Sequence, residues 1–282
     1  MKVGVVGLGL IGGSMAKAVK KRTDHEVVGW DISQTIRYSA LLMEAVDGFM
    51  EEGSPKDCDV VIIALYPQMT VDYIKDHCKE FKKGAVVVDC TGVKRAICRQ
   101  VQGVAAENGF FFVGAHPMAG VERSGFTYSS EDMFEGTTLI VTPYTGTDIG
   151  MMNALSMFFK KLGFARLQVT TDEEHDQMIA FTSQLAHVVS SAYIKGELSP
   201  NFKGFSGGSF HDMTRVAKLN ETMWTELFLD NGDYLAQEID GLIARMQAYS
   251  DAIKAKDGET LKRLLRDGKE KRIAVDEIKD FE

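Results

Sequence analysis

Three glycines that directly follow a β-rich segment near the start of the chain leave few folds open to it. The run reads Val5-Val6-Gly7-Leu8-Gly9-Leu10-Ile11-Gly12. In a strand–turn–helix unit the first glycine permits the tight turn, the second lets a ligand approach the backbone, and the third allows close helix–strand packing. Free N–H groups at the start of the helix then attract an anion. The run predicts a dinucleotide-binding unit, and its candidate cofactor-binding residues are Gly7, Gly9, Leu10, Ile11 and Gly12.

An acidic residue at the end of the next β-rich run supports this interpretation. The run Glu26–Trp30 is followed by Asp31, 19 residues after Gly12. A carboxylate at this place accepts hydrogen bonds from an adenosine ribose diol and repels a 2′-phosphate. Because no arginine or lysine follows until Arg37, the sequence favours NAD over NADP as the cofactor. A glycine-rich turn without a ligand is the alternative.

The first half of the chain alternates regularly between β-rich and helical segments. The β-rich segments are Val3–Val6, Glu26–Trp30, Val60–Leu65, Ala85–Asp89, Phe110–Gly114 and Leu139–Val141. Helical spacing is found in Ser14–Lys21, Val71–Phe81 and Val93–Asn108. Strands that alternate with helices predict an α/β fold, here a Rossmann-type doubly wound sheet that is mainly parallel and covered on both faces. Ligands of such sheets bind beyond the carboxyl ends of the strands.

The second half has a different pattern. From Asp172 onward we find helical stretches and no convincing strand, so an all-α domain is expected to follow the sheet. A length of 282 residues is typical of two domains. We therefore predict a NAD-binding Rossmann domain at residues 1–169 and an all-helical domain at residues 170–282. Methionines among these helices are expected to fill the core, namely Met213, Met223 and Met246.

Composition excludes several classes of protein. Hydrophobic residues make up 45% and charged residues 26%, which is typical of a globular chain. With 32 basic against 40 acidic residues and no basic block, nucleic acid is not an expected partner. The apolar run Val3–Ala16 is rich in glycine and too short to cross a bilayer, so neither a leader nor a membrane partner is expected. The four cysteines lack zinc-site or redox spacing, which favours reduced thiols in a cytoplasmic protein without a metal.

Three clusters contain the candidate chemistry, and they are Asp89–Lys94, Gly114–Gly120 and Phe210–Arg215. His116 follows a β-rich run, and a neutral histidine there could accept a hydroxyl proton while hydride leaves the same carbon. Arg215 is a candidate carboxylate clamp, because its guanidinium matches a carboxylate with two parallel hydrogen bonds. Position alone leaves a structural loop histidine and a surface ion pair open as alternatives.

Together these motifs resemble the prephenate dehydrogenase family. The matching runs are GLGLIGGS, DCTGVK, GAHPMAG, His175-Asp176, DMTRVA and Met223-Trp224, in the family's order from Val3 to about Asn231. The resemblance implies oxidative decarboxylation of prephenate to 4-hydroxyphenylpyruvate in tyrosine biosynthesis, by a homodimer that pairs through its helical domain. It also implies that His116 contacts the ring hydroxyl, that Arg215 binds a substrate carboxylate, and that His187 lines the site.

Two departures from the family pattern concern the substrate site. Many members carry a serine where this chain has Gly92, and Thr91 is the candidate to replace that hydroxyl. Gln184 and Ala186 replace the histidine and proline of the usual S-H-L-P-H run. Three alternatives stay open: the same reaction on arogenate, another Rossmann-plus-helical dehydrogenase such as a β-hydroxyacid dehydrogenase, and an NAD-binding regulator without catalysis.

Overall fold

A computed structural model describes residues 1–144 and 147–278 of the chain. The predicted domains also include residues 145–146 and 279–282, which lie outside the described residues. The strands are β1 (Lys2–Val6), β2 (Glu26–Trp30), β3 (Gly48–Phe49), β4 (Val60–Ile63), β5 (Val86–Asp89), β6 (Phe111–Pro117), β7 (Thr138–Pro143) and β8 (Arg166–Val169). The helices of the sheet-bearing part are α1 (Leu10–Arg22), α2 (Gln34–Leu42), α3 (Pro67–Asp76), α4 (Arg95–Asn108) and α5 (Ile149–Lys161).

Only helices follow β8 in the described residues. They are α6 (Asp172–Ile179), α7 (Leu185–Ile194), α8 (Gly208–Thr214), α9 (Glu221–Asp230), α10 (Gly232–Lys254) and α11 (Gly258–Glu277). A short π-helical segment, Ala180–Gln184, joins α6 to α7. None of the helices in the described residues has an apolar stretch long enough to cross a membrane.

The eight strands form one sheet in the order β3-β2-β1-β4-β5-β6-β7-β8. All neighbours run parallel except β6 and β7, which are antiparallel. The chain builds outward from β1 to β3 and then returns to place β4 on the other side of β1. Two apolar clusters pack against the sheet, one around Phe134 and Phe159 and the other around Ile63 and Ile97. The expected doubly wound sheet is confirmed, with its ligand-binding crevice at β1 and β4.

Several details differ from the sequence-based expectation. The strands β3 and β8 were not predicted, because β3 has two residues and β8 is a partly exposed edge strand. Strand β6 continues to Pro117, so His116 lies inside the strand instead of in the loop after Gly114. Met213 and Met246 are 47% and 62% exposed in the single chain, so they do not fill its core as expected.

The three glycines of the first turn serve three different purposes. Gly7 has φ +83°, and a Cβ there would lie 2.5 Å from the carbonyl oxygen of Ala64. A Cβ on Gly12 would lie 1.8 Å from the carbonyl oxygen of Gly7, which is why α1 packs so closely on β1. Around Gly9, by contrast, no atom lies within 4 Å of a Cβ position. The first and third glycines are therefore required by the fold, whereas the second leaves open space.

Contacts divide the chain into two compact units, Met1–Gly232 and Asp233–Glu282. Within the second unit, the hydroxyl of Tyr249 donates to the carbonyl oxygen of Leu264 at 3.1 Å and links α10 to α11. Asp257 caps α11 by accepting from the backbone N–H of Thr260. All the residues of the site described below belong to the first unit.

Substitution of Gly12 by Ala tests the close packing of α1. Because the new Cβ meets backbone that cannot rotate away, Gly12→Ala is expected to lower the free energy of unfolding by at least about 2 kcal/mol. Gly9→Ala is the matched control and is expected to change it by less than about 1 kcal/mol. Chemical denaturation of the ligand-free variants measures both values, and equal stability of the two would contradict the packing role of Gly12.

Candidate active site

A cavity of about 660 Å³ lies at the carboxyl ends of the central strands. It brings together seven of the ten candidate site residues, namely Gly9, Leu10, Ile11, Thr91, His116, His187 and Arg215. Gly7, Gly12 and Asp31 do not line it. The cavity therefore joins the start of α1 to the histidines and arginine of the candidate chemistry.

The α1 end of the cavity has the features of an anion site. Gly9 is the N-cap of α1, no side chain caps the helix, and no acidic residue lies in its first turn. Its N–H groups and positive dipole end are thus available to a phosphate group. Asp31 is held at the end of β2 by two backbone donors, since its carboxylate accepts from Leu8 N and Ser33 N, each at 2.9 Å. This geometry fits a dinucleotide.

His116 also lines the cavity, near the end of β6. Its Nδ1 is 2.9 Å from Nε2 of His175. Its Nε2 faces Gly92, where a Cβ would lie 3.9 Å away. Burial, together with the neighbouring His175 and Lys94, holds the pKa of His116 well below its usual value. The side chain is therefore neutral near pH 7, the form that a proton acceptor requires.

A buried aspartate connects this histidine pair to the start of α4. Asp176 Oδ1 lies 2.7 Å from His175 Nδ1 and accepts from Lys94 N at 2.8 Å. Its Oδ2 accepts from Arg95 N at 2.9 Å. The sequence shows His175 and Asp176 only as an adjacent pair within the family motifs, without a role. No spacing rule could indicate that an aspartate on α6 reaches the start of α4, about eighty residues earlier in the chain.

Thr91 belongs to a buried cluster around Lys94. The ammonium group of Lys94 is fully buried and forms an ion pair with Asp89. It also donates to Thr91 Oγ1 at 3.1 Å, while that hydroxyl lies 2.7 Å from Asp89 Oδ1 and 2.9 Å from the carbonyl oxygen of Val93. Since the Thr91 hydroxyl already has three protein partners, the geometry favours a structural contribution to the site.

Arg215 and His187 enter the cavity from the helical part of the first unit. The guanidinium of Arg215 pairs with Glu122, from the loop after β6. His187 Nδ1 donates to the carbonyl oxygen of Val216 at 3.2 Å, and its ring centroid lies 4.0 Å from that of Trp224. Burial lowers the pKa of His187. His187 thus holds the backbone next to Arg215 through Nδ1. Its other ring nitrogen, Nε2, is not used in this contact.

The two departures from the family pattern, at Gly92 and Gln184, both lie beside Leu227. A Cβ on Gly92 would lie 3.3 Å from Cδ2 of Leu227, so the glycine leaves room for that leucine. Gln184 donates to the carbonyl oxygen of Leu227 at 2.9 Å and accepts from Asn231 Nδ2 at 2.8 Å. In this chain the leucine occupies the space beside Gly92, and Gln184 holds its backbone.

Comparison with known protein families agrees with this geometry. Residues 15–168 match the nucleotide-binding domain of prephenate dehydrogenase, and residues 171–267 match the dimerization domain of prephenate dehydrogenase. The chain belongs to the prephenate dehydrogenase family. The chain is similar to a cyclohexadienyl dehydrogenase of Zymomonas mobilis, which is 26% identical over 97% of this chain and 95% of its own length.

Two solved structures have the same fold as this chain. Prephenate dehydrogenase from Aquifex aeolicus, in complex with hydroxyphenyl propionate and NAD⁺, is 26% identical, with a TM-score of 0.86 over 98% of both chains. Arogenate dehydrogenase from Synechocystis is 25% identical, with a TM-score of 0.81 over 98% of this chain and 100% of that one. The relatives share the reaction type in their names but differ in the substrate named.

The role of Asp31 can be tested by its replacement with Ala. Loss of a charge-assisted acceptor, with a typical value of about 1.5–3 kcal/mol, is expected to weaken NAD binding at least tenfold. Asp24→Ala is the control, because Asp24 is exposed and lies before β2, whereas Asp31 follows it. This variant is expected to bind NAD like the wild type. Titration calorimetry measures both affinities, and equal values for the two variants would exclude Asp31 from the nucleotide site.

Proposed function

We propose that this chain is an NAD-dependent prephenate dehydrogenase that converts prephenate to 4-hydroxyphenylpyruvate and carbon dioxide. The observation that carries the proposal is a neutral histidine, His116, whose Nε2 faces the same cavity as the uncapped start of α1. A proton acceptor and a dinucleotide site on one cavity are what oxidation of an alcohol requires.

The cofactor assignment rests on the fit of the residues at the nucleotide end. Leu10 and Ile11 contribute backbone N–H groups at the start of α1, Gly9 leaves space for the pyrophosphate, and Asp31 receives the ribose diol. A carboxylate already placed by two backbone donors repels a 2′-phosphate, which favours NAD. When bound, the nicotinamide ring supplies the hydride acceptor of the reaction.

The chain's own residues then account for the proton and for orientation. His116 Nε2 accepts the proton of the ring hydroxyl as hydride leaves the carbon that bears it. The bond to the ring carboxylate breaks, and its electron pair enters the ring, which becomes aromatic. The oxygen recovers the proton from His116 and ends as the phenol. Arg215 and His187 orient the substrate, whereas Thr91 supports the site through its contact with Lys94.

The charges that line the cavity favour prephenate over arogenate. Among the described lining residues, Arg123, Arg215 and Lys218 are cationic, and the single carboxylate is Glu122, which is paired with Arg215. Prephenate carries two carboxylates and a ketone, while arogenate carries an ammonium group in place of the ketone. Among the charged lining residues, an ammonium group would find three cations and one carboxylate that is already paired.

The organisation of the protein follows from the same proposal. Residues 1–169 hold the cofactor, and residues 170–282 bind substrate and pair two chains into a homodimer. The match of residues 171–267 to a dimerization domain supports this pairing. Four free cysteines support a cytoplasmic location, where thiols stay reduced.

The substrate assignment predicts the outcome of a crossed assay. Purified protein with NAD is expected to have at least a tenfold higher kcat/KM for prephenate than for arogenate, because the unpaired charges of the cavity are cationic. Nicotinamide absorbance measures the rates with each substrate and with NAD or NADP. A preference for arogenate would contradict the substrate assignment, but the roles proposed for His116 and the cofactor would still hold. No turnover of either acid would contradict the proposed function.

The role of His116 predicts both a mutant rate and a pH profile. His116→Asn keeps the size and polarity of the side chain but not the base, so kcat is expected to fall roughly 10²–10⁴-fold with NAD affinity unchanged. Since a lowered pKa keeps His116 neutral in mild acid, the acidic limb of the wild-type kcat/KM profile is expected below pH 6.5. An unchanged kcat in the variant would exclude proton transfer by His116.

A further inference from the structure

We propose that His175 and Asp176 are positioning residues that keep the His116 proton on Nδ1 and leave Nε2 bare as the proton acceptor. The inference rests on the proposed function, since it concerns the base of that reaction. The three side chains lie in a chain of contacts, with His116 Nδ1 2.9 Å from His175 Nε2 and His175 Nδ1 2.7 Å from Asp176 Oδ1. Neither His175 nor Asp176 lines the cavity, so both act through His116.

The direction of the hydrogen bonds is set at Asp176. Burial on its own raises the pKa of this carboxyl, but hydrogen bonds from His175 and from the backbone of Arg95 and Lys94 bring it below the ordinary value. The side chain of Arg95 adds a further donor, Nε, at 3.3 Å. An ionised carboxylate only accepts hydrogen bonds, so Nδ1 of His175 must carry a proton.

The tautomer of His175 in turn determines the tautomer of His116. Burial lowers the pKa of His175, against the opposing effect of Asp176, and His175 is therefore neutral. A neutral imidazole has one N–H, which here is on Nδ1, so its Nε2 is an acceptor. His116 Nδ1 must be the donor across the 2.9 Å contact, because two bare nitrogens could form no hydrogen bond. Since His116 is also neutral, its Nε2 carries no proton.

The contacts of Asp176 with His175 and of His175 with His116 form a hydrogen-bond relay. This relay matters because a free neutral histidine in water favours the opposite tautomer, with the proton on Nε2. An unconstrained His116 would often present a donor to the substrate hydroxyl and could not accept its proton. Nε2 has no hydrogen-bond partner among the described residues, and it faces the Gly92 side of the cavity. The charged groups around the relay include Asp89, Lys94, Arg95 and Asp230. Asp89 pairs with Lys94, Arg95 pairs with Asp176, and burial together with the nearby carboxylates raises the pKa of Asp230.

Nitrogen-15 spectra of the histidine rings test the proposal without any substrate. In the ligand-free wild-type protein, His116 and His175 are both expected as neutral rings protonated on Nδ1. Their signals are assigned by their loss in His116→Asn and His175→Phe. In His175→Phe the His116 ring is expected to shift to the Nε2-protonated tautomer. An Nε2-protonated His116 in the wild type would overturn the relay.

Kinetics provides the second readout. His175→Phe removes the acceptor, so kcat for prephenate is expected to fall about 100-fold, with KM and NAD affinity within twofold of wild type. His175→Gln restores an amide oxygen as acceptor, and it is expected to recover at least tenfold of the lost kcat and to keep His116 protonated on Nδ1. His77→Phe, outside the cavity, controls for the loss of a histidine.

The possible failures can be told apart. A wild-type kcat in His175→Phe, or an equal loss in the Gln and Phe variants, would overturn the positioning role. If His175→Phe does not fold, the Gln variant alone decides, and an Nε2-protonated His116 in it would overturn the proposal. A wild-type protein that turns over neither cyclohexadienyl acid would contradict the proposed function, and the spectra would still decide the relay.

Discussion

The buried carboxylate of Asp176 is the contact on which the site depends. It lies on α6, yet it accepts from the backbone N–H groups of Lys94 and Arg95, at the start of α4. That helix has no capping side chain of its own and no acid in its first turn, so Asp176 provides the negative charge that its N-terminus favours. The carboxylate thereby fixes α6 to the start of α4 and orients His175.

A second consequence of this arrangement is electrostatic. Lys94 is fully buried and neutralised by Asp89, and both groups lie close enough to the histidine pair to influence it. A buried charge is tolerated only when it is paired and hydrogen-bonded, and the contacts with Asp89 and Thr91 meet that condition. Burial, together with the nearby His175 and Lys94, lowers the pKa of His116 and so disfavours its charged form. The site therefore keeps its base neutral while retaining cations for an anionic substrate.

The sequence was sufficient for those parts of the fold and site that depend on local pattern. The glycine turn, the alternation of strands and helices, and the strand-end position of His116 are each encoded within a few neighbouring residues. Contacts such as Asp176 with Arg95 or Gln184 with Leu227 join residues more than forty positions apart and have no periodicity. The edge strand β8 was missed for a related reason, because it is short and half exposed, without an apolar run.

The long-range contacts also explain why the departure at Gly92 is compatible with the family chemistry. Many members carry a serine hydroxyl there, whereas in this chain Leu227 approaches the Cβ position of Gly92 to 3.3 Å. Without a serine hydroxyl at position 92, His116 must be oriented by another residue. His175 contacts His116 from the side opposite Gly92, through Nδ1, and so leaves Nε2 unobstructed. Because His175 orients His116 through Nδ1, the identity of the residue near Nε2, at position 92, is less critical. Leu227 can therefore pack beside Gly92.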